Sequence, residues 1–166
     1  MGLALREWRN RDAISWGAEL CRELVRRGAV PVLLPMHEPE DWELAEKISA
    51  TGEGGLEVMS PPDGIDDLLA AIRSCEVVVG MRLHALLLAA NAGLPVVAWS
   101  YDPKVDALME RLGAGDGMIP LETTPARAAM KALEARSHLP DPDRLTRLRG
   151  EALRTLELLA AFCKGL

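Results

Sequence analysis

Short apolar runs alternate along this chain with longer stretches whose apolar residues recur at helical spacing. The runs predict strands at Gly2 to Leu5, Val30 to Leu34, Leu56 to Met59, Cys75 to Val79, Leu94 to Trp99 and Met118 to Pro120. Between them, Asp12 to Arg27, Glu40 to Ala50, Asp63 to Ser74, Arg82 to Ala92 and Pro103 to Leu112 read as helices, and Thr124 to Ser137 and Asp141 to Lys164 close the chain. Punctuation agrees with the periodicity. Gly28 stands where a helix should stop, Gly52 to Gly55 break another, and Pro61-Pro62-Asp63 and Pro103 open two more. Strand followed by helix, repeated five or six times, is the signature of βαβ units and therefore of a doubly wound, mainly parallel α/β sheet. No internal repeat interrupts the pattern, so one domain is expected over residues 1–166.

In an open parallel sheet, ligands bind outside the carboxyl ends of the strands, which directs attention to the residues that follow each strand. Arg6, Trp8, Arg9 and Arg11 follow the first strand, and Pro35-Met36-His37-Glu38 the second. Gly80-Met81-Arg82-Leu83-His84 and Ser100-Tyr101-Asp102-Pro103-Lys104 follow two later ones. Cations, histidines and two helix N-termini thus collect on one rim, as an anionic ligand would require. Gly80 would let the backbone approach that ligand, Arg82 would add a bidentate pair, and His84 stands out in the first turn of an otherwise apolar helix. Each has an ordinary alternative: a packing histidine at 84, a solvated lysine at 104, and an Arg6 paired with Glu7 or Asp12. Trp8 and Trp99 would stack on a sugar ring or simply pack a loop. His37 and His138 read as structural or solvent-exposed, and the charged stretch from Arg144 to Arg154 as a solvated helix face.

Composition narrows the field further. Apolar residues at 49% and charged residues at 27% describe a globular domain, and the net charge of −6 argues against a nucleic-acid partner. Cys21, Cys75 and Cys163 are far apart and lie in apolar patterns, so buried thiols are expected and no metal site or redox pair is. The longest apolar run, Ala85 to Trp99, is broken by Asn91, Gly93 and Pro95 and does not read as a membrane span; no secretory leader opens the chain, and a cytoplasmic location is expected.

The segment Val77-Val78-Val79-Gly80-Met81-Arg82-Leu83-His84-Ala85-Leu86, followed by Gly93-Leu94-Pro95-Val96-Val97 and Ser100-Tyr101-Asp102-Pro103-Lys104-Val105, resembles the polysaccharide pyruvyl transferase family. It is most similar to the CsaB type, which modifies secondary cell-wall polysaccharide in S-layer anchoring. The opening Gly2-Leu3-Ala4-Leu5-Arg6-Glu7-Trp8 resembles the strand that begins that family's second half. The resemblance implies a Rossmann-like domain, one half of a GT-B-like enzyme whose active site lies in a cleft between two domains.

It also implies transfer of the enolpyruvyl carbons of phosphoenolpyruvate to two hydroxyls of a sugar or lipid-linked saccharide, N-acetylmannosamine in the CsaB type, with proximity to a membrane surface through that acceptor. His84 and Lys104 take the places of the family's functional histidine and lysine, and Arg82 and Arg6 those of arginines around the donor; Gly80, Ser100 and Tyr101 complete the expected binding set. No cofactor or metal is expected. The family's N-terminal domain has no counterpart in these 166 residues. The chain is therefore expected to be an excised C-terminal domain or a truncated product, inactive alone. Two other readings remain: a nucleotide-sugar-binding domain of a GT-B glycosyltransferase, and a non-catalytic binding domain.

Overall fold

The computed structural model describes residues 1–8, 12–51 and 56–164. Arg9, Arg11 and the glycine-rich break at 52–55, singled out above, lie outside the described residues. Six parallel strands form one sheet: β1 (Gly2–Ala4), β2 (Val32–Leu33), β3 (Glu57–Val58), β4 (Val78–Gly80), β5 (Val96–Ser100) and β6 (Met118–Pro120). Among the described residues seven α-helices accompany them: α1 (Ala13–Arg26), α2 (Glu40–Thr51), α3 (Ile65–Arg73), α4 (Leu83–Asn91), α5 (Pro103–Leu112), α6 (Pro125–Glu134) and α7 (Pro142–Lys164). The order across the sheet is β3-β2-β1-β4-β5-β6, the doubly wound arrangement expected from the strand–helix alternation.

Side-chain alternation along the strands divides the core between the two faces. Leu3, Val77, Val79, Val97, Trp99 and Ile119 point to the side covered by α1, α2 and α6. Ala4, Val78, Val96 and Ala98 point to the side covered by α3, α4, α5 and the start of α7. A period-two sheet buried on both faces needs apolar residues at nearly every position, which is why Val77–Val79 and Val96–Trp99 read as unbroken apolar runs. Gly17 lets α1 sit against α2: a Cβ there would lie 2.7 Å from Ile48 Cδ1. Trp99 stacks on Trp16 with ring centroids 3.7 Å apart, and the Trp16 indole donates to the Thr123 carbonyl. This ties β5 to α1 and to the loop before α6, so Trp99 is a core residue and not a sugar platform.

Local capping sets where the helices begin and end. Asp12 accepts from the Ser15 amide at α1, Asp102 from the Lys104 amide at α5, and Thr124 from the Arg127 amide at α6. Gly113, at φ 70°, closes α5 in the left-handed conformation.

One expectation needs correction. Cys21 and Cys75 are buried as anticipated, and burial pushes the Cys21 thiol up to about 12, but Cys163 is exposed. The reason is that α7 outruns the domain. Its first turns dock through Leu145, while Arg144, Arg147, Arg149 and Arg154 stay exposed, the solvated face expected of this stretch, with Arg149 bonded to the Asn91 carbonyl and side chain. Leu153, Leu156, Leu158, Leu159 and Phe162 are exposed as well. Among the described residues, no helix is long and apolar enough to cross a membrane.

Candidate functional site

Register brings the key segments to one edge. Ala4 pairs with Gly80, and Gly80 with Ala98, so β1 and β4 end in line and β5 runs two residues further. With neighbouring strands about 4.8 Å apart and a rise of about 3.3 Å per residue, the three chains leave the sheet within roughly 12 Å of each other. The chain then departs to opposite faces, α1 from β1 and α4 from β4, which opens a crevice at the switch point. Arg6 and Trp8 leave on one side of it and Arg82 and His84 on the other, with Tyr101 and Lys104 arriving from β5.

The β1 and β5 exits touch directly. Arg6 donates to the Tyr101 hydroxyl (3.2 Å) and to the Glu7 carbonyl (3.3 Å), and its guanidinium lies 5.3 Å and 5.4 Å from the Trp8 and Tyr101 ring centroids. Those rings meet edge to face at 4.7 Å. Arg6 therefore spends its charge on aromatic faces and a phenol, with neither the Glu7 nor the Asp12 carboxylate as its partner. Lys104 is 58% exposed and sits 3.4 Å from the Asp102 carboxylate. That carboxyl is held below the usual range first by the Lys104 backbone N–H it accepts, and then by the charges of Lys104 and Arg6. The Ser100 hydroxyl donates to the Asp106 carboxylate in the first turn of α5.

The β4 exit is built differently. Arg82 is the N-cap residue of α4, but its side chain makes no cap; it reaches the Asp41 carboxylate through Nε, at 2.9 Å, and Nη2. The pair is nearly dry, with side-chain exposures of 17% and 1%. Asp41 also accepts from the backbone amides of Met36 (3.2 Å) and His37 (3.1 Å). A guanidinium has no acceptor to offer a helix N-terminus, so α4 starts without a side-chain cap. His84, in that turn, is exposed and has no hydrogen-bond or ionic partner among the described residues. It is not a packing histidine.

Gly80 needs a different explanation from the one its position suggested. A Cβ there would meet Ala4 Cβ at 3.2 Å and the Ala4 carbonyl at 3.3 Å, so the glycine serves the close approach of β4 to β1. His37 and His138 are exposed as expected. Asp41 escaped the sequence reading because an acid in a first helical turn is so common; the only clue was its place between Pro39 and an apolar helix face.

A family model for polysaccharide pyruvyl transferases matches residues 5–103, which takes in the β1 and β4 exits and the β5 exit as far as Pro103, with Lys104 one residue beyond. No curated protein matches the sequence. Among solved structures, a protein described as a UDP-N-acetylglucosamine 2-epimerase from Listeria monocytogenes is similar at TM-score 0.59 and 20% identity, over 82% of this chain and 36% of its own. A glycotransferase of kitacinnamycin is similar at TM-score 0.57 and 19% identity, over 95% of this chain and 42% of its own. The likeness establishes the fold, and this chain spans well under half the length of either structure.

Proposed function

Since this chain belongs to the polysaccharide pyruvyl transferase family, we propose that it is the donor-binding half of an enzyme that moves pyruvate from phosphoenolpyruvate onto two hydroxyls of a sugar. The acceptor in this reading is a saccharide of a cell-wall precursor, N-acetylmannosamine by the likeness of the motif, and a second domain closes over the rim. The observation that carries the proposal is the uncapped N-terminus of α4, flanked by Arg82 and by His84, which has no partner among the described residues, at the switch point of the sheet. Phosphate or carboxylate there gains backbone N–H donors and a favourable dipole. Lys104 supplies an exposed ammonium, beside the Asp102 carboxylate, from the neighbouring strand exit.

The chemistry needs one proton on carbon. His84 as imidazolium gives its proton to the methylene carbon of phosphoenolpyruvate, which leaves an oxocarbenium-like centre at the carbon bearing the phosphate. A sugar hydroxyl oxygen attacks that carbon and loses its proton to the neutral imidazole. The C–O bond to phosphate then breaks, and the second hydroxyl adds, its proton leaving with inorganic phosphate. Arg82, Lys104 and the α4 amides offset the charge that builds on the leaving group.

In the full-length enzyme, His84→Ala should cut pyruvyl transfer by on the order of a hundredfold or more with the fold unchanged. Turnover close to the parent's would remove the imidazole from the chemistry. Titration with phosphoenolpyruvate against a UDP-sugar separates this proposal from a nucleotide-sugar site. Intact function after Arg82, His84 and Lys104 are all neutralised would instead indicate a non-catalytic domain.

A further inference from the structure

Asp41 and Arg82 come from strand exits that are not neighbours. Asp41 opens α2 beyond β2, Arg82 follows β4, and β1 lies between those two strands. Their ion pair therefore crosses the carboxyl end of β1, at the mouth of the crevice. Resting on the donor-site reading above, we infer that Asp41 is a positioning residue that holds the Arg82 guanidinium in the orientation that receives the anion.

The carboxylate is one of two buried charged groups in the described core, and all its hydrogen bonds serve this junction. Two backbone amides, of Met36 and His37, fix where Asp41 sits, and the Nε and Nη2 donors of Arg82 fix the guanidinium against it. A guanidinium has five N–H donors, and these two bonds leave three without a partner among the described residues. An arginine held only to balance buried charge would have no need of donors kept free at a ligand crevice. The pairing also holds the guanidinium beside the start of α4, whose first turn has no side-chain cap. Lysine would not replace it, because an ammonium lacks the fork that grips the carboxylate on one edge while presenting the other.

The test uses phosphoenolpyruvate and inorganic phosphate as probes on the 166-residue chain. Asp41→Asn keeps an oxygen for the Met36 and His37 amides but loses the charge that grips Arg82. It should weaken binding of both probes by on the order of tenfold, as should Arg82→Lys. The double variant should be no weaker than Arg82→Lys alone, since both changes remove one arrangement. Additive losses, or Asp41→Asn binding both probes as the parent does, overturn the inference while leaving the donor site standing. Absence of binding by the parent overturns the inference and the proposed function together. Should Asp41→Asn fail to fold, the Arg82 Nε–H resonance of the parent decides: saturating phosphoenolpyruvate should shift it, and an unmoved resonance overturns the inference.

Discussion

The β4 exit and the β5 exit deliver cations to the same rim, yet in opposite physical states. Arg82 is almost dry, gripped by a carboxylate that is itself tied to two backbone amides. Lys104 is mostly in water beside the acid that caps its own helix. The first arrangement fixes a donor array in advance of any ligand, at the expense of burying two charges that depend on each other. The second leaves an ammonium exposed to solvent, beside a carboxylate that is itself partly exposed. The reaction proposed above has use for each kind, and the difference can be measured because the two cations should respond unequally to the same substitution.

The largest contrast lies in stability. Arg82→Ala strands a buried carboxylate and should cost about 3–5 kcal/mol in urea unfolding, whereas Lys104→Ala should change stability by no more than about 0.5 kcal/mol. Equal losses would mean that Asp41 is hydrated or that Lys104 is more firmly held than its exposure implies. A smaller effect is expected at the seam between β1 and β4. Gly80→Ala presses a methyl against Ala4 backbone and side chain and should cost about 1–2 kcal/mol. If instead Gly80 serves ligand approach, the alanine variant would keep its stability and lose only affinity for phosphoenolpyruvate.

The smallest effect concerns acid. Because the Asp102 carboxyl is depressed in the folded chain, its contribution is complete above the ordinary aspartate value near 3.9 and disappears as pH falls through the lower folded value. Asp102→Asn should therefore reduce the difference between thermal midpoints measured at neutral pH and near pH 3, and an unchanged difference would show that the cap is not ionised in the fold.

Most of the architecture was legible in the chain because each strand and helix is locally consistent. The β-branched run before Gly80, Pro103 and Gly113 around α5, and Thr124-Pro125 before α6 each say in a few residues what the sheet then uses. The rim was legible for a similar reason, since parallel strands must release their chains on one edge. What stayed hidden depends on contacts between distant segments. Nothing near Asp41 announces a partner 41 residues away, and nothing around Gly80 says that the crowding atoms belong to Ala4. The helical pattern of α7 is equally clear before and after it leaves the domain, so the exposure of Cys163 could not be read from it.

The claim at the centre of this account is that an anion settles in the crevice between the β1 and β4 exits. Backbone amide shifts of the chain titrated with phosphoenolpyruvate test it directly. Leu83, His84 and Ala85 should move most, with Lys104 following and the opposite edge of the sheet, at Gly115–Gly117, unmoved. Shifts confined to that opposite edge, or none at all at saturating phosphoenolpyruvate, would contradict it.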